Sequence, residues 1–238
     1  MSEIRALIDE LLAPRFALDE AQCAQFARYY EMLVDWNTRM NLTAIIAPQE
    51  ACEKHFLDSL LLLDDVSFAD GERLIDVGTG AGFPGIPLAI ACPQLEVTLL
   101  DSLRKRVGFL EAVIAELGLA NAHAFHDRAE LFAKCSENRD AFDWATARAV
   151  ARLPLLLEYC LPFVRVGGGF IACKGPDGAA ELAEAAKALQ TLQGVHEQTF
   201  VHSLPGGDTR DILLIRKTGP TPKRFPRNPG AAAKSPLL

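Results

Sequence analysis

The chain has 238 residues, half of them hydrophobic, and a formal net charge of −7. Such a length can bury a full core as one large domain with an extension, while the acidic balance argues against a protein that coats nucleic acid over its whole surface. Cys23, Cys52, Cys92, Cys135, Cys160 and Cys173 are scattered with no C-x-x-C spacing, so no disulfide scaffold is indicated and reduced, mostly buried thiols in a cytoplasmic protein are expected.

The opening Met-Ser-Glu-Ile-Arg has no signal-peptide pattern, and the longest apolar runs fall short of a membrane span; an intracellular protein without a membrane partner is expected. Ile4, Leu7, Ile8, Leu11 and Leu12 make one helical stripe, and Cys23, Phe26, Ala27, Tyr30, Leu33 and Val34 a second, opened by a capping box from Asp19 to Gln22. A third helix follows Pro48 with Phe56, Leu60 and Leu63 on one face. From residue 73, strands near 73–77, 96–100, 122–126, 143–147 and 169–174 alternate with helices near 85–92, 103–117, 128–134, 153–163 and 178–193. That alternation predicts an α/β fold with a mostly parallel, Rossmann-like sheet. Two further runs, 195–201 and 211–216, joined around Pro205-Gly206-Gly207-Asp208, read as a closing antiparallel pair. The organisation expected is a helical extension over 1–68, a nucleoside-binding body over 69–217 and a basic, proline-rich tail over 218–238.

The first strand ends in Asp76 and runs into Val77-Gly78-Thr79-Gly80-Ala81-Gly82-Phe83-Pro84-Gly85. Glycines there let backbone come close to a ligand. Gly80-x-Gly82-x-x-Gly85 formally fits the dinucleotide fingerprint. The fuller pattern Asp76-x-Gly78-x-Gly80-x-Gly82 is that of S-adenosylmethionine (SAM) methyltransferases, and the amino group and sulfonium of SAM suit acidic surroundings. Asp101 closes the second strand about 20 residues beyond the glycines, where an acid meets ribose hydroxyls, although it also suits capping the helix that starts near Leu103. His123 and His126 fall on opposite faces of a short strand, so no metal site is expected.

Charge is unevenly spread. Residues 216–238 carry six of the 24 basic residues and no acid, leaving 18 basic against 31 acidic groups in the remainder. Prolines keep that tail extended, and extended basic segments follow phosphate backbones. A second basic cluster, Arg104-Lys105-Arg106, follows Asp101.

Asn41-Leu42-Thr43, His55-Phe56-Leu57-Asp58-Ser59, the Asp76–Gly85 loop, Leu100-Asp101-Ser102 with Lys105-Arg106, Arg148 in Ala147-Arg148-Ala149, Lys174-Gly175 and Thr221-Pro222-Lys223-Arg224-Phe225-Pro226-Arg227 together resemble the bacterial small-subunit rRNA guanine-N7 methyltransferase family, RsmG (GidB). The resemblance spans nearly the whole chain. It implies a class I SAM-dependent methyltransferase fold, SAM as cofactor, and a 16S rRNA guanine in the decoding-region loop as target, within naked rRNA or a small ribosomal subunit. A monomer is expected. Carried over residue by residue, the family's SAM contacts fall on Gly78, Phe83, Ala129, Glu130 and Arg148, with Arg148 also the candidate for positioning; the loop reading adds Asp76, Thr79, Gly80, Gly82 and Asp101 to the cofactor site. RNA contacts are expected on His55, Arg104, Lys105, Arg106, Lys174, Lys223, Arg224 and Arg227. One departure is Val150, which stands where an aromatic often follows Arg-Ala.

No Asn/Asp-Pro-Pro-Tyr/Phe motif follows the fourth strand, which disfavours exocyclic amine methylation, and no Pro-Cys suits cytosine-C5 chemistry. Guanine N7 carries a lone pair and no proton, so its methylation needs no general base, with Glu130 or Asp58 available to a developing positive charge. Two other classes stay open on the residues alone: an NAD-dependent small-molecule oxidoreductase, and a non-catalytic nucleotide-binding module.

Overall fold

The computed structural model describes residues 2–238. Seven strands form one sheet in the order β3-β2-β1-β4-β5-β7-β6: β1 Arg73–Val77, β2 Glu96–Asp101, β3 Ala122–His126, β4 Phe142–Arg148, β5 Val164–Lys174, β6 Gly194–Ser203 and β7 Thr209–Lys217. Neighbours from β3 to β5 pair in parallel, while β7 runs antiparallel to both β5 and β6. The central strands are buried nearly end to end, as a sheet covered on both faces demands.

Two apolar clusters flank the sheet. One joins Leu74, Val97, Leu99, Ile171 and Leu214 to the helices α1 (residues 3–16), α2 (Glu20–Asn37), α3 (residues 48–65), α4 (Gly85–Ala91) and α5 (Arg104–Leu117). The other joins Ile75, Val77, Ala145 and Phe170 to α6 (Ala129–Phe132), α7 (Leu153–Cys160) and α8 (residues 178–192). The helical front thus covers one face of the sheet, and its stripe of Ile4, Ile8, Leu12, Phe26 and Leu33 is wholly buried. The capping box is present in both directions, with Gln22 N donating to Asp19 Oδ1 at 2.8 Å and Asp19 N to Gln22 Oε1 at 2.9 Å; such a cap is worth about 1 kcal/mol.

Several expectations shift in detail. The helix expected over 128–134 shortens to the single turn Ala129–Phe132, and the one over 178–193 breaks at Ala185. α3 widens to i→i+5 hydrogen bonding over Cys52–Leu57, a form often found near functional residues. β5 starts at Val164, earlier than expected. Five cysteines are buried and Cys135 is exposed. His123 and His126 sit exposed on β3.

The basic tail is the main difference. Instead of running extended, it folds back over the second face and ends in the short helix α9 (Ala231–Lys234). Phe225 enters the second cluster. Arg139 donates to the carbonyls of Thr221 (2.7 Å) and Phe225 (2.9 Å), and Arg227 grips the buried Glu158 at 2.6 Å. With Arg227, three of the six cations of residues 216–238 are spent on the body: Lys217, wholly buried, bonds Asp140 and the carbonyls of Leu161 and Val164, and Arg216 pairs with Glu197.

Among the described residues no helix is long and apolar enough to cross a membrane, and no group of three or more His, Cys, Asp or Glu side chains could hold a metal.

Candidate active site

The sheet's strand order reverses between β1 and β4, and the crevice beyond the strand carboxyl ends at such a reversal is where open α/β sheets bind ligands. The glycine loop leaves β1 there. Gly78, Gly80 and Gly82 have φ of +73°, +63° and +102°, conformations that a Cβ disfavours. Asp76, wholly buried, fastens the loop from below: its Oδ2 accepts from Thr79 Oγ1 at 2.6 Å and from Gly85 N at 2.9 Å. Gly85 allows α4 to close on the sheet, since a Cβ there would lie 2.2 Å from Leu99 Cδ2. Asp76 Oδ1 is buried with no partner, and burial pushes the carboxyl up to about 6. From β2, Asp101 Oδ2 accepts from Gly80 N at 3.0 Å and Oδ1 from Leu103 N at 2.8 Å, so it supports the loop and the start of α5 together.

A cavity of about 120 Å³ opens above this loop, lined by Gly78, Leu100, Ala129, Glu130, Val150 and Tyr159. Glu130 accepts from Arg128 at 3.1 Å and from Gly230 N of the returning tail at 3.2 Å. Burial works to raise its carboxyl, yet Arg128 and the backbone N–H groups hold it below the usual range.

A larger cavity, about 750 Å³, adjoins it under β4, β5 and α3. Its wall contains five cations, Lys54, Arg148, Arg152, Lys174 and Arg210, against three carboxylates, Asp58, Glu181 and Asp208. Asp58 is the hub: Oδ2 accepts from Arg148 at 2.8 Å and Oδ1 from Arg210 at 3.1 Å. Arg148 also donates from the same nitrogen to the Lys54 carbonyl at 3.2 Å, and its guanidinium carbon stands 5.2 Å from the Phe83 ring centre. On Phe83 lies His55, rings 4.4 Å apart and nearly parallel at 12°. His55 Nε2 meets Thr43 Oγ1 at 2.9 Å; burial and the nearby Arg148 push the imidazole down to about 4, so it is neutral at physiological pH. Loop residues of the β6–β7 hairpin complete the wall, with Gly206 N bonded to Glu53 and Asp208 beside Lys54.

The residues predicted from the sequence therefore fall in five places. Asp76, Thr79, Gly80, Gly82 and Asp101 build the loop; Gly78, Ala129 and Glu130 line the small cavity; and Phe83, Arg148 and His55 stack beside the large one, where Lys174 bonds Glu181 and the Ala151 carbonyl, each at 2.7 Å. Arg104, Lys105 and Arg106 line a separate cavity of about 480 Å³ with Arg39, and no acid lines it. Lys223 and Arg224 are exposed on the tail and line neither main cavity, while Arg227 is held by Glu158. Asp58 and Glu130 are already engaged by arginines, Asp58 by Arg148 and Arg210 and Glu130 by Arg128. Sequence reasoning missed Lys54, Arg152, Tyr159 and above all Arg210, which lies 152 residues from its partner Asp58.

The family model described as rRNA small subunit methyltransferase G matches residues 22–212. Proteins named ribosomal RNA small subunit methyltransferase G are similar throughout: that of Macrococcus caseolyticus is 47% identical over all of both chains, and that of Lactiplantibacillus plantarum 50% identical over 93% of this chain and 92% of its own. Among solved structures, a SAM-dependent methyltransferase from Aquifex aeolicus superposes with a TM-score of 0.51 at 17% identity, covering 69% of this chain and 92% of that one. TYW2 of M. jannaschii in complex with AdoMet gives 0.53 at 16% identity, covering 68% and 76%. These likenesses match the Rossmann-like methyltransferase fold.

Proposed function

The chain belongs to the rRNA small subunit methyltransferase G family, and from that premise we propose that it transfers a methyl group from SAM to N7 of one guanine in the decoding-region loop of 16S rRNA. The observation that carries this reading is the pairing of a small cavity, lined by Asp127 and Glu130 beside the glycine loop, with a larger, cation-rich one at the sheet's reversal point.

The residues fit SAM better than a dinucleotide. The first N–H of α4, which a pyrophosphate would need, is already given to Asp76, and Ile86 N to the Gly82 carbonyl. Two carboxylates, Asp127 and Glu130, line the cavity, Asp76 and Asp101 brace the glycine loop beside it, and the unpartnered Asp76 Oδ1 is a buried acceptor that a cationic ligand would satisfy. In this reading Asp101 takes the ribose hydroxyls, Ala129 N–H and Glu130 the adenine edge, Gly78 the close backbone approach, and Asp76 the loop beneath the methionine part. SAM supplies an electrophilic methyl on its sulfonium.

The acceptor side needs orientation more than proton transfer. Guanine N7 presents its lone pair without deprotonation, and the large cavity offers no poised base: His55 is neutral and of low basicity, and Asp58 is held by two arginines. Arg148, fixed by Asp58 and Lys54, has nitrogens that make no hydrogen bond among the described residues, and guanine O6 lies beside N7 on the same edge. Arg148 thus orients the base, and a reacting pair held about 3–3.5 Å apart gains most of its rate from that placement. Lys174 positions Ala151 instead of touching RNA. Arg39, Arg104, Lys105 and Arg106 receive phosphates outside the cavity. The enzyme acts on rRNA in the cytoplasm as a monomer, since residues of one chain complete both cavities.

The test is methylation of rRNA by the purified protein with SAM, read by strand scission at N7-methylguanine after borohydride and aniline treatment. Cleavage at one guanine of the decoding-region loop is expected; methyl incorporation at another atom or no single site would overturn the assignment.

A further inference from the structure

The small and large cavities share one lining residue, Val150. It belongs to neither apolar cluster and remains 38% exposed, so core packing does not explain its place. Its position is nevertheless closely set. Val150 Cγ2 lies 2.7 Å from where a Cβ on Gly78 would be, with Cγ1 at 3.3 Å; only a glycine at 78 admits it. The residue before it, Ala149, has φ +56°, a left-handed conformation uncommon for a residue with a Cβ. Both flanks are tied down, Arg148 by Asp58 and the Ala151 carbonyl by Lys174.

Val150 therefore occupies the backbone approach that Gly78 offers to a ligand, and the cavity left beside it is about 120 Å³, well below the roughly 300 Å³ at which pockets for organic ligands begin. The small cavity alone does not hold a whole nucleoside while Val150 stands over Gly78. We infer that Val150 is a movable partition, a positioning residue that cofactor binding lifts from Gly78 toward the large cavity, joining the two spaces along the line of methyl transfer. The two-residue bend Ala149–Val150 between anchored neighbours is the moving part. Because residues 149–152 all line the acceptor cavity, the wall met by the guanine is set only once the cofactor is in place, and the cofactor binds first. The inference rests on the SAM reading above.

The probe is S-adenosylhomocysteine, the unreactive product, titrated calorimetrically into wild type and Val150→Ala, each checked for wild-type melting. Removing the displacement step raises the fraction of competent protein, so Val150→Ala is expected to bind about three- to tenfold tighter. In steady state, Val150→Ala lowers KM for SAM. A thiol introduced by Val150→Cys in a Cys135→Ser background reports the movement directly, its alkylation rate changing on saturation with S-adenosylhomocysteine. Equal affinities of wild type and Val150→Ala, or an alkylation rate indifferent to ligand, would overturn the partition while leaving the cofactor assignment standing. Failure of wild type itself to bind would overturn both.

Discussion

The protein presents positive charge in two different ways. In the large cavity the cations are tied: Arg148 and Arg210 to Asp58, Lys174 to Glu181, Arg152 to Glu184, Lys54 to Glu50. On the face formed by Arg39, Arg104, Lys105 and Arg106, Arg104 and Lys105 stand exposed, and only Arg39 and Arg106 have acidic partners, Asp35 and Asp101. A guanidinium held by a buried carboxylate keeps its direction and loses much of its long-range field, whereas a free one attracts phosphate from any direction and is screened by salt. The first arrangement suits the orienting of one base; the second suits the gathering of a polyanion to a chain whose formal charge is −7.

The comparison breaks most completely at Asp58. Asp58→Ala leaves two arginines without their carboxylate and is expected to cost about 3 kcal/mol of stability and at least about 100-fold in kcat through misplacement of Arg148, with Asp58→Asn intermediate. Chemical denaturation and single-turnover rates check both; full activity in Asp58→Ala would remove orientation from the cavity's role.

Acidification probes the same cavity through His55. Its pKa, held near 4 against an ordinary 6.5, contributes stability that is complete above pH 6.5 and is lost as pH falls through 4, about 3 kcal/mol in all. Asp76, raised from 3.8 to about 6, acts in the opposite sense: its contribution is complete below pH 3.8 and lost as pH rises through 6. Urea melts at pH 7 and pH 4 should show His55→Gln losing less on acidification than wild type; parallel losses would place the titrating group elsewhere.

On the free face the effect is on capture. Arg104→Glu with Lys105→Glu is expected to leave kcat at saturating rRNA and SAM affinity unchanged while KM for rRNA rises, and to flatten log affinity against log salt by about two units. A fall in kcat instead would mean that these residues orient the base. The smallest effect belongs to the tail: Lys223→Glu with Arg224→Glu should change stability by less than about 0.5 kcal/mol and the salt slope by less than about one unit. A slope change as large as that of the Arg104 and Lys105 pair would make the tail a second capture surface.

The strands, the glycine loop and both capping residues of α2 were legible in the sequence because each is a local matter of periodicity, φ requirement or a three-residue reach. Asp101 was legible for the same reason, standing one strand beyond the glycines. Arg210 was not, since nothing near Thr209-Arg210-Asp211 announces an ion pair with a residue 152 positions earlier. Composition misled at the C-terminus: prolines and cations suggested an extended strand of charge, but Phe225 and the match of Arg227 to the buried Glu158 decide where it lies, and neither is visible without the partner surface. The four-residue α6 was overread because the sequence 128–134 keeps helical composition after its hydrogen bonds have stopped.

Tyr29, in the middle of α2, donates its hydroxyl to the Ala81 carbonyl inside the glycine loop and packs against Phe83, their ring centres 5.3 Å apart, while α3 of the same helical front carries Lys54, His55 and Asp58 into the large cavity. The cavity wall and the framework beneath the loop are therefore parts of one unit. A chimera that grafts this front onto another methyltransferase body would have to bring with it a loop that accepts Tyr29 and a hairpin that supplies Arg210, so changes of target in this lineage are expected to come through side-chain exchange at the cavity wall and seldom through exchange of segments.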